Sequence, residues 1–296
     1  MTVQFTSSFG LPPDIERALR ALGPKLDPDT IGKSRELFAK RVDLTLPEGG
    51  TRRADLAYGD HPRQTIDICQ PTGENNPIAL FIPGGGFTGG DKSFYAHIPY
   101  FLARQGFLGA AANYRLAPEF QWPSGANDVA LALDWLARSS ARFGGDPSRI
   151  VVIGQSAGAV HVSGALFDPR LRPACYESIR AAALMSGLYD IHPNIVATAP
   201  AYFGSDEGQY ADRSPVRYVG QSKLPILMTL AELDPPFFAP QAGALMNALT
   251  ERDGKAPPFA WLRGHNHLSP VLALGGPSDE LGRAILAEFR RLLAET

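Results

Sequence analysis

Arg149-Ile150-Val151-Val152-Ile153-Gly154-Gln155-Ser156-Ala157-Gly158-Ala159 is the stretch that decides how this chain is read. Ile150 to Ile153 are consecutive apolar residues, the pattern of a short strand buried on both faces. Gly154 to Gly158 turn the chain sharply, and the Ala-rich run beyond can open a helix. A serine between two glycines at a strand-to-helix turn is a nucleophile elbow. The strained serine backbone holds Oγ out at the end of the sheet, and small neighbours let the helix pack close to the strand. With 30 glycines in the chain, the pattern alone carries little weight. Its flanks decide.

The chain has 296 residues, 44% hydrophobic and 20% charged, with a net charge of −2. That length and apolar content suit one large α/β domain or two small ones, with ample length for a sizeable core. The charge balance offers no basic face, so nucleic acid is not an expected partner. Two cysteines, Cys69 and Cys175, stand in unrelated contexts and suggest neither disulfide nor metal cluster. Met1 to Gly10 lack the basic and apolar regions of a signal peptide, and no apolar run reaches membrane-spanning length. A cytoplasmic protein with no membrane span is the expectation.

Upstream, residues 12–55 differ from the rest. Pro12 to Gly23 read as a helix that begins with proline and ends with glycine. A second helix is predicted from Asp29 to about Lys40. Both precede the first strands, so residues 1–50 are read as an appended helical cap segment and 51–296 as the catalytic domain. Ala54–Tyr58 and Thr65–Cys69 alternate as half-exposed strands do, and form a leading antiparallel hairpin. Ile78–Ile82 is apolar throughout. Helices are predicted at Tyr95–Arg104, Ser124–Arg142, Pro240–Glu251 and Asp279–Glu295, and strands at Arg180–Met185, Leu224–Leu230 and Phe259–Leu262. Strands alternating with helices imply a mostly parallel, doubly wound sheet, whose ligands bind beyond the carboxyl ends of the strands. The stretch 189–223 breaks that rhythm and carries aromatics among prolines and glycines. It reads as a cap insertion that, with residues 1–50, could roof a pocket.

A serine becomes nucleophilic when a base takes its proton and an acid orients that base. Leu224–Leu230 runs into Ala231-Glu232-Leu233-Asp234-Pro235, which puts Asp234 in the loop beyond a strand. One helix and one strand later comes Arg263-Gly264-His265-Asn266-His267-Leu268. The order Ser, acid, His is that of the elbow enzymes. Glu232 rivals Asp234, although the prolines after Asp234 fix its loop; His265 rivals His267. The His-x-His pair has no third ligand at a metal-binding spacing, so no metal is expected. His61, His97, His161 and His192 read as ordinary polar residues, with His161 one helical turn past Ser156.

A tetrahedral intermediate also needs hydrogen-bond donors for its oxyanion. Ile82-Pro83-Gly84-Gly85-Gly86-Phe87 follows an apolar strand, and glycines let backbone N–H groups approach a substrate oxygen. Gly85 and Gly86 are the expected donors, with Ala157 of the elbow completing the hole. The run lacks the lysine and hydroxyl of a phosphate-binding loop.

Taken together, these motifs resemble the hormone-sensitive-lipase-like branch of the α/β-hydrolases, the bacterial carboxylesterases. The resemblance rests on Pro83 to Phe87, on Asn113-Tyr114-Arg115-Leu116-Ala117-Pro118-Glu119 and on Phe143 to Ile150. Gly154 to Gly158, Leu233-Asp234-Pro235 and Gly264 to His267 complete it, over about residues 78–270. It implies an α/β-hydrolase fold with a triad of Ser156, Asp234 and His267 and an oxyanion hole of Gly85, Gly86 and Ala157. It also implies N-terminal helices that form part of a cap. One departure stands out. Pro83 occupies the position where the family usually has a histidine that braces the oxyanion loop.

The expected activity is a serine carboxylesterase acting on small to medium esters without a cofactor. An arylformamidase or other amidase is the alternative, since Gly264-His265-Asn266-His267-Leu268-Ser269 resembles that group too. A non-catalytic small-molecule receptor is the rival from another class, disfavoured because all three triad residues are present. Phe87, Tyr189, Tyr202, Phe203, Phe237 and Phe238 are the expected substrate-binding residues. An exposed last strand could pair two subunits as a homodimer.

Overall fold

The computed structural model describes residues 10–193, 195–277 and 279–295. Eight strands run in chain order: β1 (Thr51–Ala57), β2 (Thr65–Gln70), β3 (Asn76–Ile82), β4 (Leu108–Ala112), β5 (Gly145–Gln155), β6 (Ile179–Met185), β7 (Ile226–Leu233) and β8 (Phe259–Asn266). They form one sheet in the order β1-β2-β4-β3-β5-β6-β7-β8. β2 lies antiparallel to both β1 and β4, and every other pairing is parallel.

Among the described residues there are ten α-helices: α1 (Pro13–Leu22), α2 (Pro28–Ala39), α3 (His97–Arg104), α4 (Ser124–Ser139), α5 (Ala157–Phe167), α6 (Ala199–Phe203), α7 (Tyr210–Arg213), α8 (Phe238–Asp253), α9 (Ser269–Leu272) and α10 (Glu280–Ala294). The two-residue strand period sorts the central side chains onto opposite faces. Ile78, Leu80, Ile82, Ile150 and Val152 face a layer built from α4, α5 and α8, including Val129, Leu133, Leu166, Leu245 and Leu249. Their alternates Ala79, Phe81, Val151 and Ile153 face α1, α2, α3 and α10 through Ile15, Leu19, Phe38, Ile98, Leu102, Ile285 and Phe289. Both faces are covered, which is why the central strands carry uninterrupted apolar runs.

The N-terminal helices therefore belong to the core layer of α3 and α10. Among the described residues, the aromatic and aliphatic cluster over the elbow is built from elsewhere. It contains Phe87, Val160, Leu188, Ile191, Ile195, Tyr202, Phe203, Tyr210 and Phe238.

Several strands are longer than their sequence pattern suggests, and two of the extensions bear on the site. β7 continues to Leu233 and β8 to Asn266, because Leu233 pairs with Asn266 beyond a register shift. The polar residues of Glu232 and 263–266 hide these extensions from a hydrophobicity pattern. As a result Glu232 and His265 lie inside strands, while Asp234 and His267 are the first residues past them. The parallel strands deliver Pro83, Asn113, Ser156, Ser186, Asp234 and His267 to one edge of the sheet, directly after β3 to β8 in turn.

Candidate active site

Ser156 sits at the turn between β5 and α5 with φ 54° and ψ −123°, a backbone conformation that L-residues rarely adopt. The strain is held from two sides. Ser156 N donates to Met185 O of β6 at 2.8 Å, and Ser156 O accepts from Ala159 N at 2.9 Å. A Cβ on Gly158 would lie 2.2 Å from Ile82 O, so only glycine lets α5 start this close to the end of β3. All eleven residues of α5 are buried, which fixes the helix that fixes the serine.

Asp234 and His267 meet across the ends of β7 and β8. His267 Nδ1 lies 2.6 Å from Asp234 Oδ1, and both side chains are buried. The second carboxylate oxygen of Asp234 accepts from Ser186 Oγ at 2.7 Å and from Ala231 N at 2.8 Å. With both oxygens engaged, the carboxylate cannot rotate away from the imidazole. Phe238 stacks on the His267 ring at 4.4 Å and fixes its plane. His267 Nε2 is buried and has no hydrogen-bond partner among the described residues. A histidine held through Nδ1 with Nε2 free is oriented to accept a proton there.

The rivals of both residues have other partners. Glu232 takes a two-pronged contact from Arg20 of α1, at 2.9 and 3.2 Å, and accepts from Gly264 N at 2.6 Å. The Arg20 guanidinium holds its carboxyl below the ordinary glutamate range. His265 Nδ1 lies 2.9 Å from Ser269 Oγ. A small apolar cleft lies beside His265, between Leu11, Phe38, Leu272 and Leu281, and its lining includes neither Ser156 nor His267.

The glycine loop after β3 runs beside the elbow. Gly85 has φ 157°, and a Cβ there would lie 2.1 Å from Gly89 O, so the loop closes on itself only with glycine. Gly89 N donates to Gly85 O at 3.0 Å. The N–H groups of Gly85, Gly86 and Ala157 donate to no acceptor among the described residues. Unpartnered amides at the start of a helix and on a tight loop are free to donate to an anion.

Pro83 cannot brace this loop with a side-chain hydrogen bond, and other groups do so. Tyr114 Oη donates to Pro83 O at 3.0 Å. Arg63 bridges Tyr114 O at 2.9 Å and Gly90 O at 2.8 Å, and Ala117 N donates to Phe87 O at 3.0 Å. Burial pushes the Tyr114 phenol well above its ordinary range, so it remains a donor.

The six aromatics expected to bind substrate separate into distinct environments. Phe87 is buried, stacks on Tyr202 at 4.9 Å and meets Phe203 edge-on at 5.3 Å. Tyr202 Oη accepts from Gly125 N at 3.1 Å, tying this group to α4. Tyr189 is buried in the core of the α4, α5 and α8 layer; its Oη accepts from Gly187 N at 3.1 Å and its N donates to Gln241 Oε1 at 2.7 Å. Phe238 backs His267, and Phe237 is half-buried against Phe238 at 4.6 Å. His161 points into the fold, boxed by Tyr114, Tyr202 and Phe87 at 4.5, 5.0 and 5.6 Å, with neither ring nitrogen hydrogen-bonded. Burial alone pushes its pKa down to about 3.

Several contributors escaped the motif reading. Ser186 sits at φ 47° directly after β6, a position that the strand-end rule singles out. Gln155 occupies the variable place of the elbow motif, and its Nε2 donates to His267 O at 3.2 Å. Thr198 lies over the glycine loop, its Oγ1 3.5 Å from where a Gly86 Cβ would be. Nothing in its sequence context marks Thr198. No cluster of three potential metal ligands occurs among the described residues, and no described helix is long and apolar enough to cross a membrane.

The BD-FAE family model matches residues 66–166, the span from β2 through the elbow helix. The chain is 31% identical over 242 residues to the probable carboxylic ester hydrolase LipM of Mycobacterium tuberculosis, covering 77% of this chain and 51% of LipM. It is 27% identical to the esterase LipQ of the same organism, covering 82% of this chain and 65% of LipQ. The carboxylesterase NlhH, also from M. tuberculosis, is 42% identical over 135 residues, covering 43% of this chain and 41% of NlhH. The chain thus spans less than two thirds of the length of each of these curated relatives. Among solved structures, esterase B from Lactobacillus rhamnosis superposes with a TM-score of 0.75 at 19% identity, over 95% of this chain and 97% of that one. The esterase of the archaeon Pyrobaculum calidifontis gives 0.73 at 19%, over 96% and 98%. Sheet order, elbow and structural likeness agree: the chain has the α/β-hydrolase fold.

Proposed function

We propose that the protein is a serine carboxylic ester hydrolase of the hormone-sensitive-lipase-like group, working through an acyl-enzyme. The carrying observation is the buried 2.6 Å contact between His267 Nδ1 and Asp234, with His267 Nε2 left without a partner among the described residues. In this reading Ser156 Oγ attacks the ester carbonyl while Nε2 takes its proton. Asp234 holds the imidazole in the tautomer with the proton on Nδ1 and stabilises the cation that forms. The N–H groups of Gly85, Gly86 and Ala157 receive the oxyanion. His267 then protonates the leaving alcohol, and water repeats the sequence on the acyl-enzyme, so no cofactor is required.

The names of the relatives support an ester substrate, and the cluster around Phe87 and Tyr202 supports an apolar wall over the loop. The test is turnover of a series of activated esters of increasing acyl length, with a formamide and an anilide beside them. The reading expects ester hydrolysis that Ser156→Ala lowers by several powers of ten. Preferential cleavage of the formamide or anilide would replace it by the amidase alternative. No turnover of any of them would contradict it.

A further inference from the structure

We infer that helix α2 braces the base: Ser34, acting through Asn266, is a positioning residue for His267. This rests on the esterase reading above. Ser34 and Asn266 are 232 residues apart in sequence, yet Asn266 Nδ2 donates to Ser34 Oγ at 2.7 Å. Both side chains are fully buried, at 0% and 1% exposure, so water does not compete for either.

Asn266 is the residue directly before His267, and its remaining polar groups fix the backbone on both sides of that histidine. Its Oδ1 accepts from Leu268 N at 3.2 Å and Ser269 N at 3.0 Å, and its own N donates to Ser269 Oγ at 3.0 Å. Gln155 Nε2 secures the His267 carbonyl from the elbow side. The base therefore sits on a loop whose local turn is closed by one amide side chain. The orientation of that amide is set from outside the loop by Ser34. Removing the hydroxyl strands a buried Nδ2–H and lets the amide turn, and the histidine moves with it. An ångström of misplacement at a reacting group is enough to lower a rate by up to about a hundredfold. An N-terminal helix that packs on the sheet thus contributes to the chemical step.

The experiment compares four variants of the full chain on one activated ester, with kcat, KM and the unfolding midpoint measured for each. Ser34→Ala is expected to lower kcat about tenfold with KM changed less than about twofold. Phe38→Leu, which thins the buried face of the same helix and removes no hydrogen bond to Asn266, is expected to lower the midpoint and leave kcat within about twofold of the parent. The double variant Ser34→Ala/Asn266→Ala should lose no more kcat than Asn266→Ala alone, because both act on one route. A Ser34→Ala enzyme at parental kcat overturns the brace. So does a Phe38→Leu enzyme that loses as much kcat as Ser34→Ala, or a double variant whose losses multiply. A parent inactive on every substrate overturns the esterase reading instead, so the two failures are distinguishable.

Discussion

Asp234 and His267 form a buried pair at 2.6 Å in which the carboxylate has no unused oxygen, because Ser186 and Ala231 hold the other one. Glu232, two residues earlier, is instead held by Arg20 and Gly264. The two acids can therefore be separated by isosteric changes. Asp234→Asn is expected to lower kcat by on the order of 10⁴, since an amide that satisfies Ser186 and Ala231 misorients the imidazole. Glu232→Gln should lower it less than about tenfold, because its partner Arg20 is a half-exposed cation. Steady-state kinetics on one activated ester decide between them, and equal losses would remove Asp234 from its assigned role.

Tyr114 Oη donates to the carbonyl of Pro83, the residue that opens the glycine loop after β3. Tyr114→Phe leaves that buried carbonyl without its donor and should lower stability by about 1–2 kcal/mol. Since the carbonyl belongs to the loop that presents Gly85 and Gly86, kcat is expected to fall as well, with KM little changed. Denaturant unfolding and kcat measured on the same preparation check both parts. Full activity in this variant would mean that Arg63 and Ala117 hold the loop unaided.

His161 is a neutral imidazole locked in an aromatic box, with a pKa pushed down to about 3 by burial alone. In the unfolded chain the group titrates near about 6.5. Below that value the unfolded state binds a proton that the folded state refuses, so stability falls as pH drops from about 6.5 towards 3. The slope attributable to one such group is about 1.4 kcal/mol per pH unit. His161→Leu fills similar volume, removes two unpartnered ring nitrogens and should flatten that slope. Its stability at neutral pH should equal or exceed the parental value. Denaturant midpoints at several pH values between 7 and 4 test this. Parallel curves for parent and variant would assign the acid sensitivity to other groups, such as buried His97, whose pKa burial also lowers.

The sheet, its parallel core and the three strand-end residues were legible because each rests on a local signal. The apolar runs at 78–82 and 150–153 mark doubly buried strands, and glycines mark the turns between strand and helix. What stayed hidden has a common cause. β7 and β8 continue through polar residues because they pair with each other, and tertiary pairing leaves no hydrophobic period to read. Glu232 and His265 fall within those extensions, and Asp234 and His267 lie just beyond them. The N-terminal helices showed an apolar face but not its destination, which is the layer of α3 and α10. The aromatics at 189, 202 and 203 were visible, yet whether a ring lines a cavity or fills a core depends on neighbours distant in sequence. Tyr189 illustrates this: its hydroxyl is committed to Gly187 and its ring to the core.

The central claim is that Ser156 is a nucleophile activated by His267. An organophosphonate forms a stable adduct with such a serine far faster than with an ordinary hydroxyl, so intact-mass and peptide-mass measurement after exposure tests it most directly. The account predicts one adduct per chain, located on Ser156, absent in Ser156→Ala and formed far more slowly in His267→Ala. An unlabelled parent, or an adduct on any residue other than Ser156, would contradict it.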